Sequence, residues 1–417
     1  MNRLILFLLF GFQILSAQVA DSSRNYPNSF AIEFLGGNTS QSSNTSPETK
    51  NERGFMVHFG NNNTNNKQEW ASRLGFPRTG LTLGVIDYGN PSAIGYSISV
   101  MPFLETSVFK IKNLFLNGAY GMSLLTKKYH PIANPENAAI TTDLNWAFRL
   151  FLHYQLITTS KINWRMGLGY MHQSNGHFRL PNDGLNSIFV STSVQLNYKS
   201  KTSLDVEVED LSKERGQFRN TFVSFRTGLG ANVFSTKINT PEPVYTAALS
   251  AGLVYNKTFK YSAGFYYRYY QQYYNYIVSE GELINEEYPH FKENPYKYAT
   301  NFGVFISAEL LLSHIGIELA LGYNIFKPFY AVDRRVGQAT PYISNGEVYY
   351  ANADLNFEYE LKQRISCRLG LKYYLFSTND EHPYNFYIGG HINSNFWQAD
   401  FNELSAGIVY NFNFLKK

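Results

Sequence analysis

Residues 162–174, INWRMGLGYMHQS, and residues 186–198, NSIFVSTSVQLNY, alternate between apolar and polar side chains. Neighbouring side chains of a β-strand point to opposite faces, so every second residue shares a face. In each segment one face is mostly aliphatic and aromatic, while the other is small and polar. Placing the turn near Arg179 makes the two segments the arms of an antiparallel hairpin. The pattern predicts strands with one face toward lipid.

The composition favours a transmembrane β-barrel. The chain of 417 residues has 32 Tyr, 33 Phe and 31 Gly, and 17% of its residues are aromatic. Charged residues make up 16%, whereas soluble domains average about 25%. Barrel strands are apolar on their outer face only, with aromatic girdles at both interfaces. A soluble, secreted all-β protein is the alternative. No run of eighteen apolar residues follows the N-terminal segment, which excludes helical spans.

The chain is expected to have three regions. Arg3, an apolar stretch over 4–14 and Ser16-Ala17-Gln18 predict a signal peptide over 1–17. Residues 18–53 are a polar segment with a strand candidate at 30–35. Residues 54–417 are expected to form one antiparallel barrel of about 14 strands, within 12–16, since bacterial barrels usually have an even count.

Some segments within this barrel region are ambiguous. Residues 202–210 and 349–360 are candidate strands, the first of them also a candidate surface extension. The polar stretches 277–299 and 326–348 predict extracellular loops, which are the longer loops of such barrels.

Several other functions find no support in the sequence. The net charge of +4 is small for this length and no basic run is present, so no nucleic-acid partner is expected. The single Cys367 excludes an intramolecular disulfide. His290, His382 and His391 lack metal-ligand spacing, and no nucleotide-binding fingerprint occurs. We therefore expect neither a metal nor another cofactor.

Three polar residues of the hairpin lie on the same face as its apolar side chains. His172 and Ser174 continue the row that contains Tyr170, and Asn186 begins the apolar row of the returning strand. With the turn near Arg179, His172 lies opposite Asn186, and directly opposed Cβ atoms are about 4.5–5.5 Å apart. Asn186 could then hold one imidazole nitrogen while the other faces Ser174. Nucleophile, base and orienting residue are thus predicted together on the outer wall.

The segment His172-x-Ser-Asn-Gly, followed by Pro181-Asn-x-Gly-x-Asn, resembles the lipid A 3-O-deacylase (PagL) or acyloxyacyl hydrolase family. The resemblance implies an outer-membrane barrel that removes the 3-linked acyl chain of lipid A. It implies Ser174 as nucleophile, His172 as base and Asn175 in the oxyanion region. Better-known members carry Glu where this chain has Asn186, and an amide orients a histidine without supplying a full charge.

The same residues are similar to outer-membrane phospholipase A. In that family the third member of the triad is Asn, fourteen positions after the His, as Asn186 is here. The resemblance implies that the amide of Gly176 helps to form the oxyanion hole. That family requires calcium, partly through a Ser ten positions after the His, where this chain has Asn182. Calcium binding is therefore not supported, and the segment from Pro181 favours the deacylase.

The sequence thus predicts a serine esterase of the bacterial outer membrane. The expected substrate is lipid A of lipopolysaccharide in the outer leaflet, from which an ester-linked acyl chain is removed. His172, Ser174 and Asn186 are the predicted catalytic residues, and Asn175 and Gly176 the predicted oxyanion hole. An outer-membrane phospholipase A is the first alternative. A non-enzymatic porin or structural barrel is the second, and a porin would have a wide, open lumen.

Overall fold

The chain forms two closed antiparallel β-barrels of eight strands each. The computed structural model describes residues 28–41, 46–108, 111, 113–197, 218–338, 341–344, 347–350 and 356–412. In the first barrel each strand pairs with the next, and the last closes on the first. Its strands are β1 (Asn28–Ser40), β2 (Glu52–Asn62), β3 (Arg78–Asp87), β4 (Tyr96–Ser107), β5 (Leu114–Leu125), β6 (Leu144–Thr158), β7 (Ile162–Ser174) and β8 (Leu185–Asn197).

The second barrel is closed by the pairing of its first strand with its last. Its strands are β9 (Arg219–Asn232), β10 (Glu242–Tyr255), β11 (Phe259–Tyr270), β12 (Thr300–Leu312), β13 (Ile315–Phe326), β16 (Ile365–Tyr374), β17 (Tyr384–Asn395) and β18 (Gln398–Phe412). A separate two-stranded sheet consists of β14 (Pro341–Ser344) and β15 (Glu347–Tyr350).

Short helices lie between the strands. They are α1 (Glu69–Arg73), α2 (Gln271–Val278), α3 (Glu282–Glu287), α4 (Pro295–Tyr298), α5 (Tyr330–Gln338) and α6 (Asn356–Arg364), with 3-10 helices at Asn63–Asn65 and Pro289–Glu293. Within the described residues, none of the helices is long and apolar enough to cross a membrane. Several of these helices lie in the two stretches expected to be extracellular loops, 277–299 and 326–348.

The all-β transmembrane barrel was predicted correctly, but the single barrel of about 14 strands was not, since sixteen strands form two barrels. Closure depends on long-range pairs such as Phe30 with Leu196 and Phe225 with Ile408. Local alternation of polarity carries no information on such partners.

Individual segments also differ from expectation. β1 contains the strand candidate at 30–35, and it belongs to the first barrel instead of to a polar segment before the barrel. The candidate strand at 349–360 overlaps the end of β15 and the start of α6 instead. The candidate strand at 202–210 and the expected signal peptide lie outside the described residues.

Buried ion pairs fill the lumen of the first barrel. Glu33 accepts hydrogen bonds from Arg149 (2.8 Å) and lies 2.8 Å from His153 Nε2. Arg78 and Arg165 each donate to Glu105 at 2.7 Å. Buried charges need such partners to offset their desolvation. An eight-stranded barrel is just wide enough to be filled by its own side chains, so this lumen is a packed core.

The lumen of the second barrel is built the same way. Arg368 donates to Glu403 at 2.9 Å, and Lys372 donates to Glu318 at 2.6 Å and to Glu309 at 2.9 Å. A cavity of about 30 Å³ lies among these side chains. That volume holds two or three water molecules at about 10–15 Å³ each.

The outward faces of both barrels are apolar. In the first barrel Leu168 is 59% exposed, and in the second Ile306 is 63% exposed. These side chains alternate along their strands with the buried polar residues of the lumen. A closed barrel leaves no unpaired strand edge, which is what a sheet needs to cross lipid. The two barrels are therefore transmembrane barrels.

Candidate active site

The predicted register of the β7–β8 hairpin is confirmed. His172 is paired directly with Asn186, and on its other side β7 pairs Ser174 with Trp146 of β6. Opposed residues of an antiparallel pair point to the same face. The ladder therefore brings His172, Ser174 and Asn186 to one face of the wall.

A chain of hydrogen bonds joins these three residues. His172 Nδ1 lies 2.7 Å from Asn186 Oδ1, and His172 Nε2 lies 2.9 Å from Ser174 Oγ. The Tyr170 hydroxyl donates to the same Asn186 oxygen at 2.7 Å. Because Oδ1 can only accept, His172 must donate from Nδ1. Nε2 is then the nitrogen that accepts from the Ser174 hydroxyl, which is the tautomer a general base requires.

Sequence reasoning did not single out Tyr170 for this role. The signal was available, since Tyr170 has the same parity as His172 and lies two residues before it. An exposed aromatic in that row was attributed to lipid contact alone. The hydroxyl instead fixes which atom of the Asn186 amide faces the imidazole.

The three residues lie on the outer wall, as predicted. Tyr170 and Ile188 continue their row as exposed side chains, whereas Met171 and Gln173 point inward and are buried. Gln173, at 0% exposure, lies in the lumen and accepts from Ser97 and Ser123. Ser174 is 5% exposed at the end of the outward row.

The chain turns closely over the imidazole at Gly184. Its φ of +73° is a left-handed conformation, and a Cβ there would lie 3.0 Å from His172 Cε1. Backbone hydrogen bonds from Asp183 to Ala138 (3.1 Å) and from Gly184 to Ala139 (3.0 Å) hold this turn. Glycine is therefore required by both the backbone conformation and the space beside His172.

Asn175 shapes the loop that follows Ser174. Its backbone amide donates to Asn182 Oδ1 at 3.0 Å. Its side chain accepts from Phe178 N at 3.0 Å and donates to Arg179 O at 2.9 Å. None of these bonds uses the amide of Gly176, the next residue. The two predicted oxyanion residues thus lie beside Ser174, with the Asn175 amide already engaged in the loop.

The side chain of Asn182 is engaged by the loop that follows Ser174. Its side-chain oxygen accepts from the Asn175 amide. Over the part of the chain that the structure describes, no cluster of three or more His, Cys, Asp or Glu side chains could hold a metal ion.

His177, in the loop that follows Ser174, is partly buried. It adopts a left-handed φ of +70°. Burial lowers the pKa of His177, while Asp400 and a hydrogen bond with the backbone of Val233 raise it in part. Both of those residues belong to the second barrel or to the connection after β9, so this side of the loop packs against the second barrel.

The fold and the site define a transmembrane β-barrel that carries a hydrogen-bonded Ser, His and Asn on its outer wall. Residues 41–195, which include β2 to β7 and most of β8, match the family described as lipid A 3-O-deacylase (PagL). The resemblance noted at the hairpin is confirmed over this region. The predicted location in the bacterial outer membrane is likewise confirmed by the family match together with the lipid-facing walls.

Solved structures of barrels are also similar to this chain. The crystal structure of the outer membrane enzyme PagL has 15% sequence identity and a TM-score of 0.29, covering 39% of this chain and 97% of that one. The outer membrane protein opdK from Pseudomonas aeruginosa has 9% identity and a TM-score of 0.19, covering 93% of this chain and 99% of that one. No curated protein matches the chain.

Proposed function

We propose that this protein is a serine esterase that removes an ester-linked acyl chain from lipid A of lipopolysaccharide. The observation that carries the proposal is the position of His172, 2.9 Å from Ser174 Oγ and 2.7 Å from Asn186 Oδ1, on a lipid-facing wall. The family match over the barrel that contains these residues supports lipid A as substrate.

The reaction begins at Ser174. Its Oγ attacks the ester carbonyl carbon while His172 Nε2 takes the hydroxyl proton. Asn186 accepts from Nδ1 and keeps the imidazole oriented. The Gly176 amide is the candidate donor to the oxyanion, and each such donor contributes about 3–4 kcal/mol. His172 then protonates the leaving sugar oxygen as its bond to the acyl carbon breaks. Water attacks the acyl-enzyme with His172 as base, which releases the fatty acid and returns the proton to Ser174 Oγ.

The outward position suits a lipid substrate. The apolar row below the site, including Leu168, would lie beside the acyl chains of the outer leaflet. A substrate already dissolved in the membrane reaches Ser174 without entering the lumen. A packed lumen is therefore no obstacle to this activity.

Replacing Ser174 with Ala should abolish the release of fatty acid while the barrels remain folded. The nucleophile is lost, and rates in serine hydrolases then fall on the order of 10⁴-fold or more. The measurement is mass spectrometry of lipid A and phospholipids from cells expressing each variant. Ser191→Ala is a matched control, because Ser191 Oγ on β8 is buried inside the barrel and has no hydrogen-bond partner among the described residues. Lipid A that loses no acyl chain with native protein would contradict the proposal.

A phospholipase is the second candidate, favoured by one observation. The imidazole is held by an Asn amide at position 186, the residue type of the phospholipase triad. The same mass spectra separate the two functions. Phospholipid hydrolysis that depends on Ser174, with lipid A unchanged, would assign the phospholipase activity.

A further inference from the structure

An asparagine of the second barrel is bonded to the loop that carries the candidate oxyanion donor. Asn402 of β18 donates from Nδ2 to the backbone oxygen of Asn175 at 2.7 Å. Its own side-chain oxygen accepts from Trp146 Nε1 at 2.8 Å. One amide side chain thus links the residue after Ser174 to the strand that pairs with Ser174.

The bond to Asn175 acts on a particular peptide group. The carbonyl of Asn175 and the N–H of Gly176 belong to one peptide unit, which is planar with C=O and N–H pointing in opposite directions. Fixing the carbonyl therefore fixes the direction of the Gly176 N–H. A hydrogen bond accepted at the carbonyl also polarises the N–H of the same group. Asn402 thereby determines where the candidate oxyanion donor points.

The second barrel also explains why residue 176 is glycine. Its φ is +64°, and any Cβ at this position would collide with the side chain of Asn402. Trp146 packs beside this contact, stacked on Tyr120 with ring centroids 5.3 Å apart. A Cβ at Gly390 of β17 would lie 3.7 Å from the Trp146 ring, so the ring also lies against the second barrel.

A second asparagine holds the far end of the same loop. Asn239, in the connection between β9 and β10, accepts from Leu180 N at 2.9 Å and donates to Leu180 O at 2.5 Å. Its backbone oxygen accepts from the Arg179 guanidinium at 2.8 Å. The loop from Asn175 to Leu180 is therefore bonded to the second barrel at both ends.

We propose that Asn402 is a positioning residue of the site, so that the oxyanion donor of the first barrel is aimed by the second barrel. Asn239 assists by holding the other end of the loop. This inference rests on the proposed function, because it assigns a role in the esterase reaction. It gives the second barrel a part in catalysis through the loop that follows Ser174.

Two substitutions of Asn402 distinguish its bond to Asn175 from its bond to Trp146. Asn402→Ala removes both hydrogen bonds, whereas Asn402→Asp keeps an acceptor for Trp146 and loses the donor to Asn175. Asn411→Ala is the matched control, since Asn411 lies on the same strand and also donates to a backbone oxygen, that of His382 at 3.0 Å, away from the first barrel. Trp146→Phe keeps the Asn402 amide that donates to Asn175 but removes the indole N–H that donates to Asn402 Oδ1.

Each full-length variant is assayed for kcat and KM on purified lipid A, for the rate of Ser174 labelling by a fluorophosphonate, and for its melting temperature. We expect Asn402→Ala and Asn402→Asp to lose roughly 10²-fold in kcat and in labelling rate, the effect typical of an oxyanion donor. KM and melting temperature should stay near native. Trp146→Phe should give a smaller loss, and Asn411→Ala none.

Native rates in Asn402→Ala would overturn the inference while leaving the esterase intact. Native rates in Asn402→Asp alone would also overturn it, because the donor to Asn175 would then be dispensable. Failure of the proposed function looks different: the native protein would neither react with the fluorophosphonate nor hydrolyse lipid. If Asn402→Ala does not fold, Asn402→Asp and Trp146→Phe decide the question.

Discussion

At the scale of single residues, Asn186 accepts from His172 and Tyr170 through the same oxygen. The sequence was sufficient to group His172, Ser174 and Asn186, because strand parity and register place them on one face. It was not sufficient to find Tyr170 or Asn402. A tyrosine on a lipid-facing row has no distinguishing pattern, and Asn402 lies 227 residues from Asn175 in the chain.

Changing Asn186 should test the orienting role directly. Asn186→Leu keeps nearly the same shape but has no acceptor, so the imidazole loses its preferred tautomer. We expect kcat on lipid A to fall about 10²–10⁴-fold, since the loss of the correct tautomer in a serine protease costs about 10⁴-fold. Asn186→Asp retains an acceptor and should keep most activity. Native activity in Asn186→Leu would show that His172 needs no partner at this position.

At the scale of elements, the β7–β8 hairpin was predictable and the loop at its tip was not. Alternation along both strands determines which residues face lipid, and direct opposition of His172 and Asn186 followed from the turn position. The loop conformation depends instead on side chains far away in sequence, including Asn239. The helices within 277–299 and 326–348 were missed because their polar composition is also that of a loop.

Gly184→Ala should affect both stability and activity. A left-handed backbone costs a non-glycine residue about 1–3 kcal/mol in a strained position, and the added Cβ would press on His172 Cε1. We expect a lower melting temperature together with a reduced kcat. Circular dichroism melts and lipid A kinetics measure the two effects. Gly118→Ala is a control, because a Cβ there has only ordinary contacts, 3.8 Å from Leu150.

At the scale of the whole molecule, the fold class followed from the sequence, whereas the number of barrels did not. In the sequence, sixteen strands with an apolar outer face show the same alternation whether they form one ring or two. Barrel size decides what the interior can do: one barrel of 16 strands would enclose an aqueous channel, while barrels of eight are filled by side chains. A porin would need a wide, open lumen, whereas each barrel of this structure has eight strands.

The native protein should therefore form no open channel in a planar lipid bilayer. The ion pairs around Glu33 and Glu318 lie in the two lumens, across the path that an ion would have to take. Single-channel recordings of native protein and of Ser174→Ala should both lack stable conductance steps. Stable, ion-selective steps in the native protein would contradict the packed interiors and favour the channel hypothesis.

Each barrel is closed by its own pair of strands, and this determines how the chain unfolds. The pairing of β1 with β8 closes the first ring, and the pairing of β9 with β18 closes the second. Each ring is thus a cooperative unit whose ladders break together. Because two such units share one polypeptide, we expect denaturation in more than one step, which a single free energy of unfolding does not describe.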